Sequence, residues 1–114
     1  MRAEALKGHL DGLLLAALEG QPRHGYAVIQ ELHARSGGAV ELPTGTVYPA
    51  LHRLERAGLL GSDWTRSGGR RRRVYFLTSA GRRALGTERD RWAEFVNVLG
   101  GVLNAPTLPG HVGA

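Results

Sequence analysis

Residues 60–77 read LGSDWTRSGGRRRRVYFL, and this stretch decides the fold. Leu60 to Arg66 and Arg71 to Leu77 have the length and the β-branched and aromatic content of two short strands. Ser67-Gly68-Gly69-Arg70 supplies the turn between them. Upstream of this hairpin the hydrophobic period is that of a helix. At 100° per residue Val47, Ala50, Leu51, Leu54 and Ala57 gather on one side of the stretch after Pro43. Thr44 or Thr46 is a credible N-cap and Gly58 a left-handed stop. Pro49, which lacks an N–H, argues for an onset at Thr46, or for a slight kink if the helix begins at Thr44.

Two more helices precede this one. Leu6, Leu10, Leu13, Leu14, Ala17 and Leu18 share a face, and Gly20-Gln21-Pro22 ends the run. His24 reads as a turn residue, after which Tyr26, Ile29 and Leu32 share a second face that Ser36-Gly37-Gly38 closes. Val40 to Leu42 reads as a short extended stretch. Downstream of the hairpin, Thr78 is the expected N-cap of a long helix from Ser79 to about Gly100. Three helices followed by a hairpin predict a mostly α fold with a small β-hairpin, the winged helix-turn-helix. The expected organisation is a winged domain over 1–78, a C-terminal dimerisation helix over 79–103 and a flexible tail over 104–114.

Composition bounds the function. The 114 residues, 42% hydrophobic and 6% aromatic, suit one domain with an aliphatic core. There is no cysteine, which excludes disulfides, thiolate zinc sites and a cysteine nucleophile, and suits a reducing cytoplasm. The apolar run Leu13–Leu18 is too short to span a membrane. Arg2 and Lys7 before it hint at a leader, but Asp11 interrupts and Glu19 follows where small residues belong. A soluble, cytoplasmic chain is expected. His9, His24, His33, His52 and His111 are scattered without ligand spacing, and no catalytic motif accompanies them. Neither an enzyme nor a metal or cofactor site is expected.

The net charge of +5 is concentrated. Residues 44–83 hold nine arginines against Glu55 and Asp63, while the rest of the chain is slightly acidic. Such segregation points to a polyanionic partner, double-stranded DNA first. The outer side of the third helix carries Gly45, Pro49, His52, Arg53 and Arg56, with Tyr48 on its flank. Thr44, Thr46, Tyr48 and His52 are candidates for base or nearby phosphate contact, and Arg53 and Arg56 for phosphate clamps. An ordinary solvated amphipathic helix would also fit that side taken alone. Arg70, Arg71, Arg72 and Arg73 follow the glycine turn on alternating strand faces, so no single acid can neutralise them all. A wing lying along a groove would use them on phosphates. A charged edge that discourages aggregation is the alternative.

At this point a resemblance becomes specific. Leu13-Leu14-Leu15-Ala16-Ala17-Leu18, His24-Gly25-Tyr26, and the run from Gly45 to Glu55 resemble the PadR family of transcriptional regulators. Gly58-Leu59-Leu60, Gly69 to Arg73, Tyr75, Leu77-Thr78 and Gly81 continue the pattern in order, and the single last helix resembles the family's short subfamily. The resemblance implies a dimeric winged-helix protein, usually a repressor that leaves its operator when a small molecule binds. It also implies DNA contacts from Thr46, Tyr48, His52 or Arg53 and the arginine wing. Two departures are Val74-Tyr75, where the family often has two tyrosines, and Phe76, where it often has a polar residue.

The last helix suggests the assembly. Leu85, Trp92 and Leu99 recur every seven residues, Phe95 and Val102 follow in the intermediate register, and Val96 and Leu103 widen the stripe. A small core cannot cover so long a helix, so its distal half needs a second copy, with Leu10 and Leu14 of the first helix contributing. Folding back onto its own domain is the alternative. Two-fold symmetry predicts an inverted-repeat operator. Trp92 and Phe95 are also candidates for binding a small aromatic effector, as in some members of the family, although plain interface packing would explain them too. The competing functional class is a winged helix that binds protein or RNA, and salt dependence of binding separates it from a DNA regulator.

Overall fold

The computed structural model describes residues 1–104. A 3-10 turn, Ala3–Leu6, leads into α1, Leu10–Ala17. The helix expected to run through from Leu6 is therefore broken, because Gly8 adopts a φ of +91°, which an L side chain rarely tolerates. A two-residue strand β1, Arg23–His24, precedes α2, Gly25–Arg35. Then come α3, Thr44–Arg56, strands β2, Leu60–Ser67, and β3, Arg70–Leu77, and finally α4, Ser79–Leu103. The tail expected over 104–114 lies, from residue 105 on, outside the described residues.

The sheet has three strands rather than the two of a simple hairpin, in the order β1-β3-β2 and wholly antiparallel. His24 pairs with Val74 and Arg23 with Tyr75, so His24 is a strand residue as well as the N-cap of α2. Two residues are too few to show a period of two, which is why the sequence conceals this strand. In the hairpin Gly68 and Gly69 carry φ of +58° and +78°, as a type I′ turn requires. Register follows from that turn: Leu60 opposes Leu77, Ser62 opposes Tyr75, Trp64 opposes Arg73 and Arg66 opposes Arg71. Phe76 opposes Gly61, and its ring covers that glycine so closely that a Cβ there would collide with Cζ. The apolar departure at Phe76 thus packs across the strand.

Helix α3 starts at Thr44, and neither threonine caps it. Pro43 is the N-cap and makes no side-chain bond. Pro49 lies inside the helix, where its missing N–H leaves one carbonyl of the preceding turn unbonded. Gly58, at φ +79°, does end this segment in the left-handed conformation. Val40 to Leu42 joins no strand, though Leu42 is buried. Thr78 caps α4 as expected, its side chain accepting from the Gly81 N–H.

The core sits among α1, α2, α3 and the base of the hairpin. Leu14, Leu15, Leu18, Val28, Val47, Leu51, Leu54 and Tyr75 are its largest fully buried members. Only the first half of α4 joins it, through Leu85 and alongside α1. Arg89 bonds both Glu19 carboxylate oxygens at 2.8 Å, Glu88 lies against Gly12, and His9 meets Trp92 edge-on at 5.6 Å. With 25 residues, α4 is about 37 Å long, and beyond Phe95 it runs past α1.

Candidate nucleic-acid interface

The basic segment folds into two surfaces, the outer side of α3 and the β2–β3 hairpin. Thr44, His52, Arg53 and Arg56 are exposed, and Thr46 and Tyr48 are half-buried. Tyr48 lies over the start of α2, where any Cβ on Gly25 would come within 2.5 Å of its ring. The His24-Gly25-Tyr26 pattern therefore has a steric basis: only glycine lets α3 approach this closely.

The arginines divide by environment. Arg53 is tied to α1, its Nη1 and Nη2 donating to the two Asp11 oxygens at 2.9 and 2.7 Å. That fork-to-fork geometry is the strong form of the pair, so the expected phosphate clamp is instead occupied within the protein. Arg73 donates to Ser62 Oγ at 2.8 Å and to Glu55 at 3.1 Å. The Ser62 hydroxyl also bonds Glu55, and these two donors hold the Glu55 carboxyl below the usual range, Ser62 most. Arg73 thus fastens the wing to α3. Arg72 faces the His24 ring. Arg71 places its guanidinium carbon 4.6 Å from the centroid of Trp64, a cation–π contact. Arg70 and Arg56 are exposed and have no acidic partner among the described residues.

Strand alternation sets which neighbours each wing arginine can meet. Ser62, Trp64, Arg66, Arg71, Arg73 and Tyr75 share the hairpin face that continues from the core toward α3. Arg70 and Arg72 lie on the other face. Trp64, 56% exposed, was not singled out by sequence reasoning, although an aromatic residue opposite an arginine run is a visible cross-strand signal. Asp11 lies 42 residues from Arg53 and had no local signal.

The apolar residues assigned to assembly also divide. Leu14 and Leu85 are sealed in the protomer's own core and have no surface to offer a partner. Leu10 is half-buried against the same core. Trp92, Phe95, Val96, Leu99 and Leu103 are exposed, from 40% at Leu99 to 77% at Leu103, and Val98 and Val102 extend the patch. Trp92 and Phe95 stack with centroids 5.8 Å apart. They line one end of a groove of about 490 Å³ between α1 and α4, with His9, Leu13 and Ala16 along its floor. Among the described residues no His, Asp or Glu cluster could hold a metal, and no helix is long and apolar enough to cross a membrane.

Three helices, a wing fastened to the third of them and an exposed basic surface define a winged helix-turn-helix transcriptional regulator. The model of the PadR-like family of transcriptional regulators matches residues 14–87, and the chain belongs to that family. Transcriptional regulator Rv3488 of Mycobacterium tuberculosis is 49% identical over 79 residues, which span 68% of this chain and 71% of the relative. A PadR-family regulator from Eggerthella lenta superposes with a TM-score of 0.77 at 32% identity, over 90% of this chain and 88% of the other. A regulator from Clostridium thermocellum shares the fold, with a TM-score of 0.81 at 21% identity over 89% and 99% of the two chains.

Proposed function

We propose that this regulator is a cytoplasmic homodimeric repressor that binds an inverted-repeat operator and releases it when a flat aromatic molecule enters the α1–α4 groove. The observation that carries the reading is the rigid pairing of the two basic surfaces. Arg73, Ser62 and Glu55 lock the wing to α3, so Thr44, Thr46, Tyr48, His52 and Arg56 approach DNA together with Arg70 and Arg71. The α3 residues suit base edges and nearby phosphates, and the wing-tip arginines suit phosphates alone.

Dimerisation rests on the distal stripe of α4. Trp92, Phe95, Val96, Leu99 and Leu103 form an apolar surface that the protomer leaves bare, and a second copy related by two-fold symmetry covers it with the same stripe. The effector response rests on α1. Its Leu13 and Ala16, with His9 just before it, line the groove, while Asp11 projects from the opposite face and grips Arg53. A molecule that shifts α1 therefore moves the recognition helix.

The test is binding of the purified chain to DNA from just upstream of its own gene beside a random duplex of equal length. Preferential binding, two protomers per site and loss of binding in Arg70→Ala/Arg71→Ala are expected. Equal, weak and salt-insensitive binding to both duplexes would overturn the reading. Val96→Glu with Leu99→Glu yields a folded monomer by sedimentation if the α4 stripe is the interface.

A further inference from the structure

The corner where the wing meets the start of α2 holds an arrangement that internal bonding leaves incomplete. His24 caps α2 through its ring, Nδ1 accepting the Ala27 N–H at 3.2 Å. An imidazole nitrogen that accepts carries no proton, so the ring proton belongs on Nε2. Nε2 lies 3.1 Å from Arg72 Nη1, and a guanidinium has only donors. Two donors therefore face each other with no acceptor to share. Moving the proton to Nδ1 would satisfy Arg72 but set Nδ1–H against the Ala27 N–H. Protonating both nitrogens would break the cap and leave two cations side by side. One change resolves every conflict: an anionic oxygen beside the pair, accepting from Nε2–H and from the guanidinium at once.

We propose that His24 and Arg72 together form a binding site for one phosphate group of the DNA backbone. Both side chains are half-buried, open enough to admit a phosphate oxygen yet sheltered enough to strengthen its bonds. Tyr48, with its ring against the adjacent Gly25, brings a hydroxyl to the same corner. Burial first, and the Arg72 charge second, push the His24 ring below its ordinary range, which keeps it in the neutral form that the cap requires. The contact joins α2 to the wing across one phosphate. It rests on the reading that this face binds DNA and adds a residue that no basic-charge count would find.

Fluorescence anisotropy with a labelled duplex, titrated at several salt concentrations, tests the site. His24→Ser keeps a good N-cap but removes the Nε2–H donor. It should weaken binding roughly tenfold, the scale of a hydrogen bond to a charged group, with an unchanged salt slope because a neutral ring displaces no counterion. Arg72→Ala should reduce that slope by about 0.9. The double variant should lose less than the sum of the two single losses, since the two donors share one oxygen. Nitrogen-15 spectra of the wild-type His24 ring, independent of any variant's folding, should show the proton on Nε2 and its protection from exchange once DNA binds. Wild-type affinity in a folded His24→Ser chain, additive losses in the double variant, or a ring proton on Nδ1 would each overturn the site. Absence of DNA binding by the wild type would overturn the proposed function and this site together. Normal wild-type binding with an inert His24 would overturn the site alone.

Discussion

The two ends of the wing carry the same residue type to opposite purposes. At its base Arg73 is consumed by Glu55 and Ser62, and on the neighbouring helix Arg53 is consumed by Asp11. At the tip Arg70 reaches no acid among the described residues, and Arg71 leans on an indole that neutralises nothing. A count of arginines treats them all as DNA ligands. The fold spends some on holding the interface in shape and displays the rest. Formal charge therefore overstates the number of phosphates the chain can neutralise, and the salt dependence of binding measures the difference.

The largest effect should come from the displayed set. Arg70→Ala/Arg71→Ala is expected to lower affinity for duplex DNA by roughly a hundredfold or more, given what each charge-assisted bond contributes. The log–log salt slope should fall by about 1.8, with no change in melting temperature. A lower melting point with an unchanged slope would reverse the assignment of tip and base.

Glu55→Ala should behave in the opposite way. It frees Arg73 and unfastens the wing, so stability falls by about 1 kcal/mol, a value discounted for the pair's partial exposure. Binding to a random duplex should hold or strengthen while preference for the operator shrinks. Chemical denaturation and competition binding read the two effects separately.

Asp11→Asn sharpens the comparison further. The pair it breaks is well formed but half-exposed, so the stability loss should stay below about 1 kcal/mol. Arg53, once released, should steepen the salt slope by up to about 0.9. An unchanged slope would mean that Arg53 cannot reach a phosphate even when free.

The smallest effect concerns pH. The Glu55 carboxyl is held below its ordinary 4.5, chiefly by the Ser62 hydroxyl and then by Arg73. A depressed carboxyl contributes stability in full above the unfolded value and loses it as pH falls through the folded one. Melting temperature should therefore drop on acidification below 4.5, and Glu55→Gln should flatten that part of the profile.

Much of this architecture was legible in the residues. The turn glycines fixed the hairpin, the period of the third helix fixed its buried side, and Thr78 announced α4. What stayed hidden was tertiary. Strand β1 is too short to carry a period and exists because β3 offers it an edge. The Asp11–Arg53 and Glu55–Arg73 pairs join segments whose proximity no local pattern encodes, so four arginines and a fifth on α3 looked equivalent. The same holds for Leu85, whose heptad spacing matched the exposed stripe, and for Leu14 on the first helix, while their depth separated both from it. His24 looked like a turn because a residue that ends a strand and starts a helix has the composition of neither.

The contacts that hold α3 in place also limit its exchange. Tyr48 needs glycine at 25, Arg53 needs Asp11, and Glu55 needs both Ser62 and Arg73. A reading helix transplanted from another regulator to redirect this one would arrive without its correspondents and tilt in its seat. Retargeting here is therefore a matter of moving α3 together with four positions scattered over α1, the start of α2 and both wing strands. The unit of inherited specificity is that set, not the helix.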